Sequence, residues 1–183
     1  NSMVCKYKII YEDKDIIVCH KMAGLPVQTG KIGATDLVSE LKNYLTKSKG
    51  TKEVYLGVIH RLDQPVEGVI LFAKNQAAAG TLSKQLNTGI MNKCYYAVAT
   101  GVPEKEKGLL VDYLIRDNKT NASKVVSPNA ITNGNIPKDA KESKLEYTLL
   151  KQVENDDKAY AIIDIHLLTG RHHQIRVQFS NAG

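Results

Sequence analysis

Two short segments concentrate the side chains able to act as acids, bases or nucleophiles. The first is His60-Arg61-Leu62-Asp63, set between the apolar runs Gly57 to Ile59 and Val69 to Ala73. The second is Arg171-His172-His173-Gln174-Ile175-Arg176. Charges at the end of a buried strand are costly unless they are paired. Three readings fit these residue types. In one, Asp63 forms a strand-end turn and the arginines line a solvated face. In another, His60, Asp63, His172 and His173 are metal ligands. In the third, Asp63 is a nucleophile or base kept ionised by an arginine of the second segment. The metal reading has little to support it, because adjacent histidines on a helix point about 100° apart. No H-x-x-x-H or C-x-x-C pattern is present either. Composition and spacing alone favour the turn-forming reading over both others.

The elements that must position these groups are visible as periodicities. Tyr7 to Tyr11 and Ile16 to His20 are β-rich runs joined by a charged turn, and a Gly-containing loop with Pro26 follows. Leu37, Leu41 and Leu45 predict a helix over 36–47. The apolar runs flanking His60 to Asp63 read as two buried strands. A second helix is expected after them, with Asn75 as N-cap and Gly89 as its stop. "KCYYAVATG" resumes strand character, and 108–142 reads as strands linked by exposed loops. "KLEYTLLKQV" and "YAIIDIHLL" predict a hairpin across "ENDDK", with Ala161, Ile163, Ile165 and Leu167 on one face. Thr169 or Gly170 would open a terminal helix. No internal repeat is present, so one α+β domain from Met3 to Gly183 is expected, a mixed, largely antiparallel sheet flanked by helices.

The 183 residues carry 25 Lys plus Arg against 19 Asp plus Glu, a net charge of +6 that suits an anionic partner such as nucleic acid. Cys5, Cys19 and Cys94 lack metal-site spacing and read as free thiols of a reducing, cytoplasmic protein. No stretch has the length of a membrane span and no signal peptide is visible.

"HRLDQPVEGVILFAK", "KCYYAVATG" and "LLTGRHHQIRV" resemble, in order, three motifs of the RluA-type pseudouridine synthases, and "YEDKDIIVCHKMAGLPVQ" is similar to that family's N-terminal catalytic motif. The likeness covers nearly the whole chain. It implies the family's catalytic fold, an active-site cleft across the sheet and isomerisation of uridine to pseudouridine in ribosomal or transfer RNA. It further implies Asp63 as the catalytic aspartate, Tyr95 as an active-site tyrosine, Arg176 as partner of the aspartate and Arg61 as the residue that helps displace the target base. His60, Arg171, Lys21 and Lys74 complete the candidate RNA-binding set. Of these, His60 reads as a structural hydrogen-bonder, and Arg171 as a holder of a phosphate or of the HRLD loop. Lys21 and Lys74 read as rim charges.

The chain departs from the pattern at Val66 and Glu67, where Thr-Ser is common, at Met22 in place of proline, and at His172 in place of Ser or Thr. Relatives continue past the terminal helix with a Gly-rich strand segment, so either the sequence continues or the site lacks a supporting element. No appended S4-type RNA-binding domain is expected.

The implied chemistry involves no redox change and no net hydrolysis, so neither cofactor nor metal is expected. The carboxylate serves as nucleophile towards the ribose or as base at its 2′ carbon. Burial disfavours an ionised carboxylate, and an adjacent guanidinium favours it. Reaching the ribose requires flipping the nucleotide from its stack, where Arg61 could take the vacated place. A monomer is expected. The rival from another class is a non-catalytic RNA-binding module on the same scaffold.

Overall fold

The computed structural model describes residues 5–50 and 52–183, and the expected domain start at Met3 lies outside the described residues. The fold is α+β, with antiparallel sheets and four helices among the described residues. The chain divides into two compact units at Thr88/Gly89.

In the first unit, β1 (Tyr7–Glu12), β2 (Ile16–Lys21), β3 (Gly57–Val58) and β4 (Gly68–Ala73) form an antiparallel sheet in the order β1-β2-β4-β3. Alternation buries Ile17, Cys19 and Lys21 of β2 on one face. Helix α1 (Leu37–Lys49) buries Leu37, Leu41 and Leu45 completely, as their spacing predicts. Asp36 caps it by accepting from the Ser39 N–H at 2.7 Å, and its other oxygen accepts from the Thr29 N–H at 3.0 Å. The carboxylate thereby pins the preceding loop to the helix. Helix α2 (Gln76–Asn87) packs on β4 and is capped by Asn75, which accepts from the Ala78 N–H at 2.8 Å.

In the second unit, β5 (Lys93–Thr100), β6 (Lys107–Asp117), β7 (Ala122–Val125), β8 (Lys141–Asn155) and β9 (Lys158–Leu167) form an antiparallel sheet ordered β5-β9-β8-β6-β7. The β8–β9 hairpin turns through Asp156 and Asp157, both at positive φ, 49° and 61°. That is the backbone of a two-residue type I′ turn, which Asp tolerates. Ala161, Ile163 and Ile165 are fully buried with Leu145, and Ile175 and Phe179 pack against them. The polar segment 108–142 holds strands, as expected, and also a short helix α3 (Pro128–Thr132) with Ser127 as N-cap.

The terminal helix α4 (Gln174–Ala182) begins later than Thr169 or Gly170. The reason is a competing use of the preceding backbone. Gln174 Oε1 accepts from the Arg171 N–H at 2.9 Å and from the Thr169 hydroxyl at 3.0 Å, folding 169–173 into a turn before the helix starts.

Candidate active site

The loop bearing Asp63 is built by a strand that leaves its ladder early. Gly57 and Val58 pair with Ala73 and Phe72, so a continued ladder would bring Ile59 opposite Leu71. Instead the Leu71 N–H donates to His60 Nε2 at 3.1 Å. The imidazole thus replaces a backbone carbonyl, satisfies β4 and releases the chain into a loop. His60 Nε2 must be unprotonated to accept this bond. Leu62 is buried and anchors the loop's middle. The Asp63 carbonyl accepts from the Val66 N–H at 2.9 Å, closing a turn that leaves Asp63 half-buried. Arg61 is exposed, and its Nη2 donates to Gln28 Oε1 at 2.8 Å.

Two expected rim charges are interior instead. Lys21 is fully buried, and its ammonium donates to the carbonyls of Leu25 at 2.7 Å and of Met22 and Gln64 at 3.1 Å. Those three bonds use all its protons. The Gln64 carbonyl also accepts from the Gly24 N–H at 2.8 Å, so Lys21 ties the 22–25 loop to the turn that follows Asp63. Burial pushes the Lys21 ammonium down from its usual range, and the negative charges of Asp63 and Glu67 oppose that push. Lys74 is likewise held, with its Nζ 2.6 Å from Glu12 Oε1 and 2.5 Å from the Asp13 carbonyl, and only 7% of its side chain exposed. A strand-end lysine reads as a surface charge in sequence. Both lysines are interior because carbonyls and a carboxylate far along the chain converge on them.

Lys21→Met should therefore destabilise the first unit, since the Met22 and Leu25 carbonyls lose this donor and the Gln64 carbonyl keeps only the Gly24 N–H. A buried acceptor left unsatisfied costs roughly 1–3 kcal/mol. Thermal unfolding should move down by several degrees, and an unchanged melting temperature would show that water replaces the ammonium without penalty.

Glu67, one of the departures from the family pattern, faces His20 across the strands, with Oε1 2.8 Å from Nε2. Both side chains are solvent-accessible, so the pair is worth at most about 1 kcal/mol.

In the second unit, Tyr95 lies on β5 opposite Ile165 and is half-buried against the core, while its neighbour Tyr96 is 79% exposed. Arg171 Nε and Nη2 both donate to the Glu142 carbonyl at 3.2 Å. His172 and His173 precede the helix, and their rings stack with centroids 3.6 Å apart instead of splaying. Among the described residues no group of three or more His, Cys, Asp or Glu is placed to hold a metal. Arg176, on the first turns of α4, is exposed.

This arrangement has counterparts. The sequence model described as "RNA pseudouridylate synthase" matches residues 15–181. The chain belongs to the RNA pseudouridylate synthase family. A Helicobacter pylori protein named "uncharacterized RNA pseudouridine synthase" is 34% identical over 172 residues, covering 92% of this chain and 50% of its own length. One of the same description from Bacillus subtilis, YhcT, is 28% identical, covering 96% of this chain and 54% of its own. The structure of human RNA pseudouridylate synthase domain containing 4 matches with a TM-score of 0.73 at 22% identity, over 94% of this chain and 63% of that one, a likeness of fold. The chain thus spans about half the length of these bacterial relatives.

As a pseudouridylate synthase family member, the chain gathers His60, Asp63, Arg61 and Lys21 in its first unit and Tyr95, Arg171 and Arg176 in its second. Sequence reasoning missed Gln174 and Gln178. Gln178 is fully buried, accepting from Gln174 at 2.9 Å and donating to Asp112 Oδ2 at 2.9 Å and to the Ser143 carbonyl at 3.1 Å. The available signal was two glutamines at four-residue spacing on a helix with an apolar stripe, placing polar groups on the face that packs.

Proposed function

We propose that this chain carries the catalytic machinery of an RNA pseudouridine synthase acting on specific uridines of ribosomal or transfer RNA, with Asp63 as the reacting carboxylate. The observation that carries the reading is the construction of the Asp63 loop. A histidine ring fixes its start, a buried ammonium fixes its end, and a half-buried carboxylate stands between them beside an exposed arginine. Such fixed orientation is what a nucleophile or base requires.

In the reaction, the bond from ribose C1′ to N1 of uracil breaks and a bond from C1′ to C5 forms. The C5 proton leaves and N1 ends protonated, so the atoms balance without oxidant, water or metal. Asp63 attacks the ribose or removes a proton at C2′, and both routes need it ionised. Arg176 supplies its counter-charge, and Tyr95 offers an aromatic face for the detached ring. Arg61 occupies the stack vacated by the flipped nucleotide, and Arg171 holds a phosphate. Lys21 and Lys74 have no direct RNA contact in this reading, because their ammonium groups are already engaged. We further propose a monomer without cofactor, in a reducing cytoplasm that suits Cys5, Cys19 and Cys94, all free thiols.

The test is turnover on uridine-containing RNA. Conversion supports the reading, and RNA binding without conversion would leave a non-catalytic module instead. With a net charge of +6, binding should weaken steeply with salt, log affinity falling linearly with log salt. A flat salt response would contradict an RNA substrate and point to a free nucleoside.

A further inference from the structure

Lys93 opens β5 and shares a face with Tyr95, two residues along the strand. It pairs with Leu167 at the end of β9, from which the chain runs on into Thr169-Gly170-Arg171. The Lys93 ammonium lies so close over Gly170 that its Nζ takes up the space a Cβ there would need. Any side chain at position 170 would displace it. Burial and the Arg171 charge both push Lys93 down from its usual range, and among the described residues no carboxylate forms a salt bridge with it. Two cations therefore repel, one of them half-buried, and among the described residues no ion pair to Lys93 offsets its desolvation. Arg171 is itself oriented by its two bonds to the Glu142 carbonyl, and it is exposed, so its remaining N–H groups are open to a ligand.

We propose that Lys93 and Arg171 form a phosphate-binding pair for the RNA backbone, and that Gly170 is side-chain-free so that the Lys93 ammonium can sit beside Arg171. A compact ammonium and a planar fork together suit a phosphate, which accepts from both at charge-assisted distance. This deepens the reading of RNA as substrate, and it places a phosphate contact beside the proposed active-site tyrosine.

The test is binding of a uridine-containing RNA across a salt series by the parent chain, Lys93→Met, Gly170→Ala and the double variant. Folding is checked by circular dichroism, with Lys93→Gln as the alternative if methionine is not accepted. Lys93→Met should bind about tenfold more weakly, the loss of one charge-assisted contact. Its slope of log affinity on log salt should shrink by about 0.7–0.9. Gly170→Ala should weaken binding in the parent and add nothing in the Lys93→Met background, because its effect passes through the ammonium. Parental affinity and slope for the Lys93 variants would overturn the proposal. So would a Gly170→Ala penalty of equal size in both backgrounds. Because the readout is binding, absence of uridine conversion by the parent would refute the catalytic reading and still leave this test decisive.

Discussion

Asp63→Asn should abolish pseudouridine formation, with a loss of at least about 10³-fold, while RNA affinity and melting temperature stay close to the parent. The amide is nearly isosteric but is neither a nucleophile nor a base, and removal of a group with such a role typically costs several orders of magnitude. The fold should accept the change because the Asp63 backbone carbonyl, which the substitution keeps, closes the turn, and because Leu62 and His60 anchor the loop independently. Rapid quantification of pseudouridine in a digested RNA product, beside a binding isotherm, checks both halves. Appreciable turnover by the asparagine variant would remove Asp63 from the mechanism.

Arg176→Met should lose most activity at neutral pH and little stability. A fully buried pair broken on one side typically costs about 3–5 kcal/mol. Arg176 is exposed, however, so an ion pair made by it is screened and worth about 1 kcal/mol or less. The activity effect is larger because a carboxylate deprived of its counter-charge takes up a proton more readily. The acidic limb of the pH–rate profile should accordingly move to higher pH, with partial recovery of rate as pH rises. Arg176→Lys should fall between, keeping charge and losing the planar two-point geometry. An unshifted limb with full activity would assign the counter-charge role elsewhere, and Lys21 is the alternative that the first unit supplies, since the negative charge of Asp63 favours its ammonium form.

The parts of the fold legible in sequence are those set by local chemistry. Leu37, Leu41 and Leu45 mark the buried stripe of α1, Asn75 caps α2, and the Asp156-Asp157 pair turns the β8–β9 hairpin. Each depends on residues within one turn of helix or one pair of strands. What was not legible depends on long-range convergence. Nothing near Lys21 in the chain announces that the Gln64 carbonyl will meet its ammonium, 43 residues away in sequence. Lys74 is drawn in by Glu12, 62 residues distant. The start of α4 lies beyond Thr169 and Gly170 for a related reason, because the Gln174 side chain bonds the backbone before it and holds 169–173 in a turn. For the candidate site, the motif residues were legible only through resemblance, since composition and spacing favoured a solvated face. The exposure of Arg176 on α4 was likewise not legible, because the motif fixes the residue and not its burial.

The most direct test of the account is single-nucleotide mapping of pseudouridine in ribosomal and transfer RNA from cells lacking the gene, before and after incubation with the purified chain in the presence of a chelator. The account predicts new pseudouridine at one or a few defined uridines, formed by the parent and not by Asp63→Asn. RNA that is bound but unchanged by the parent, or changed equally by both proteins, would contradict it.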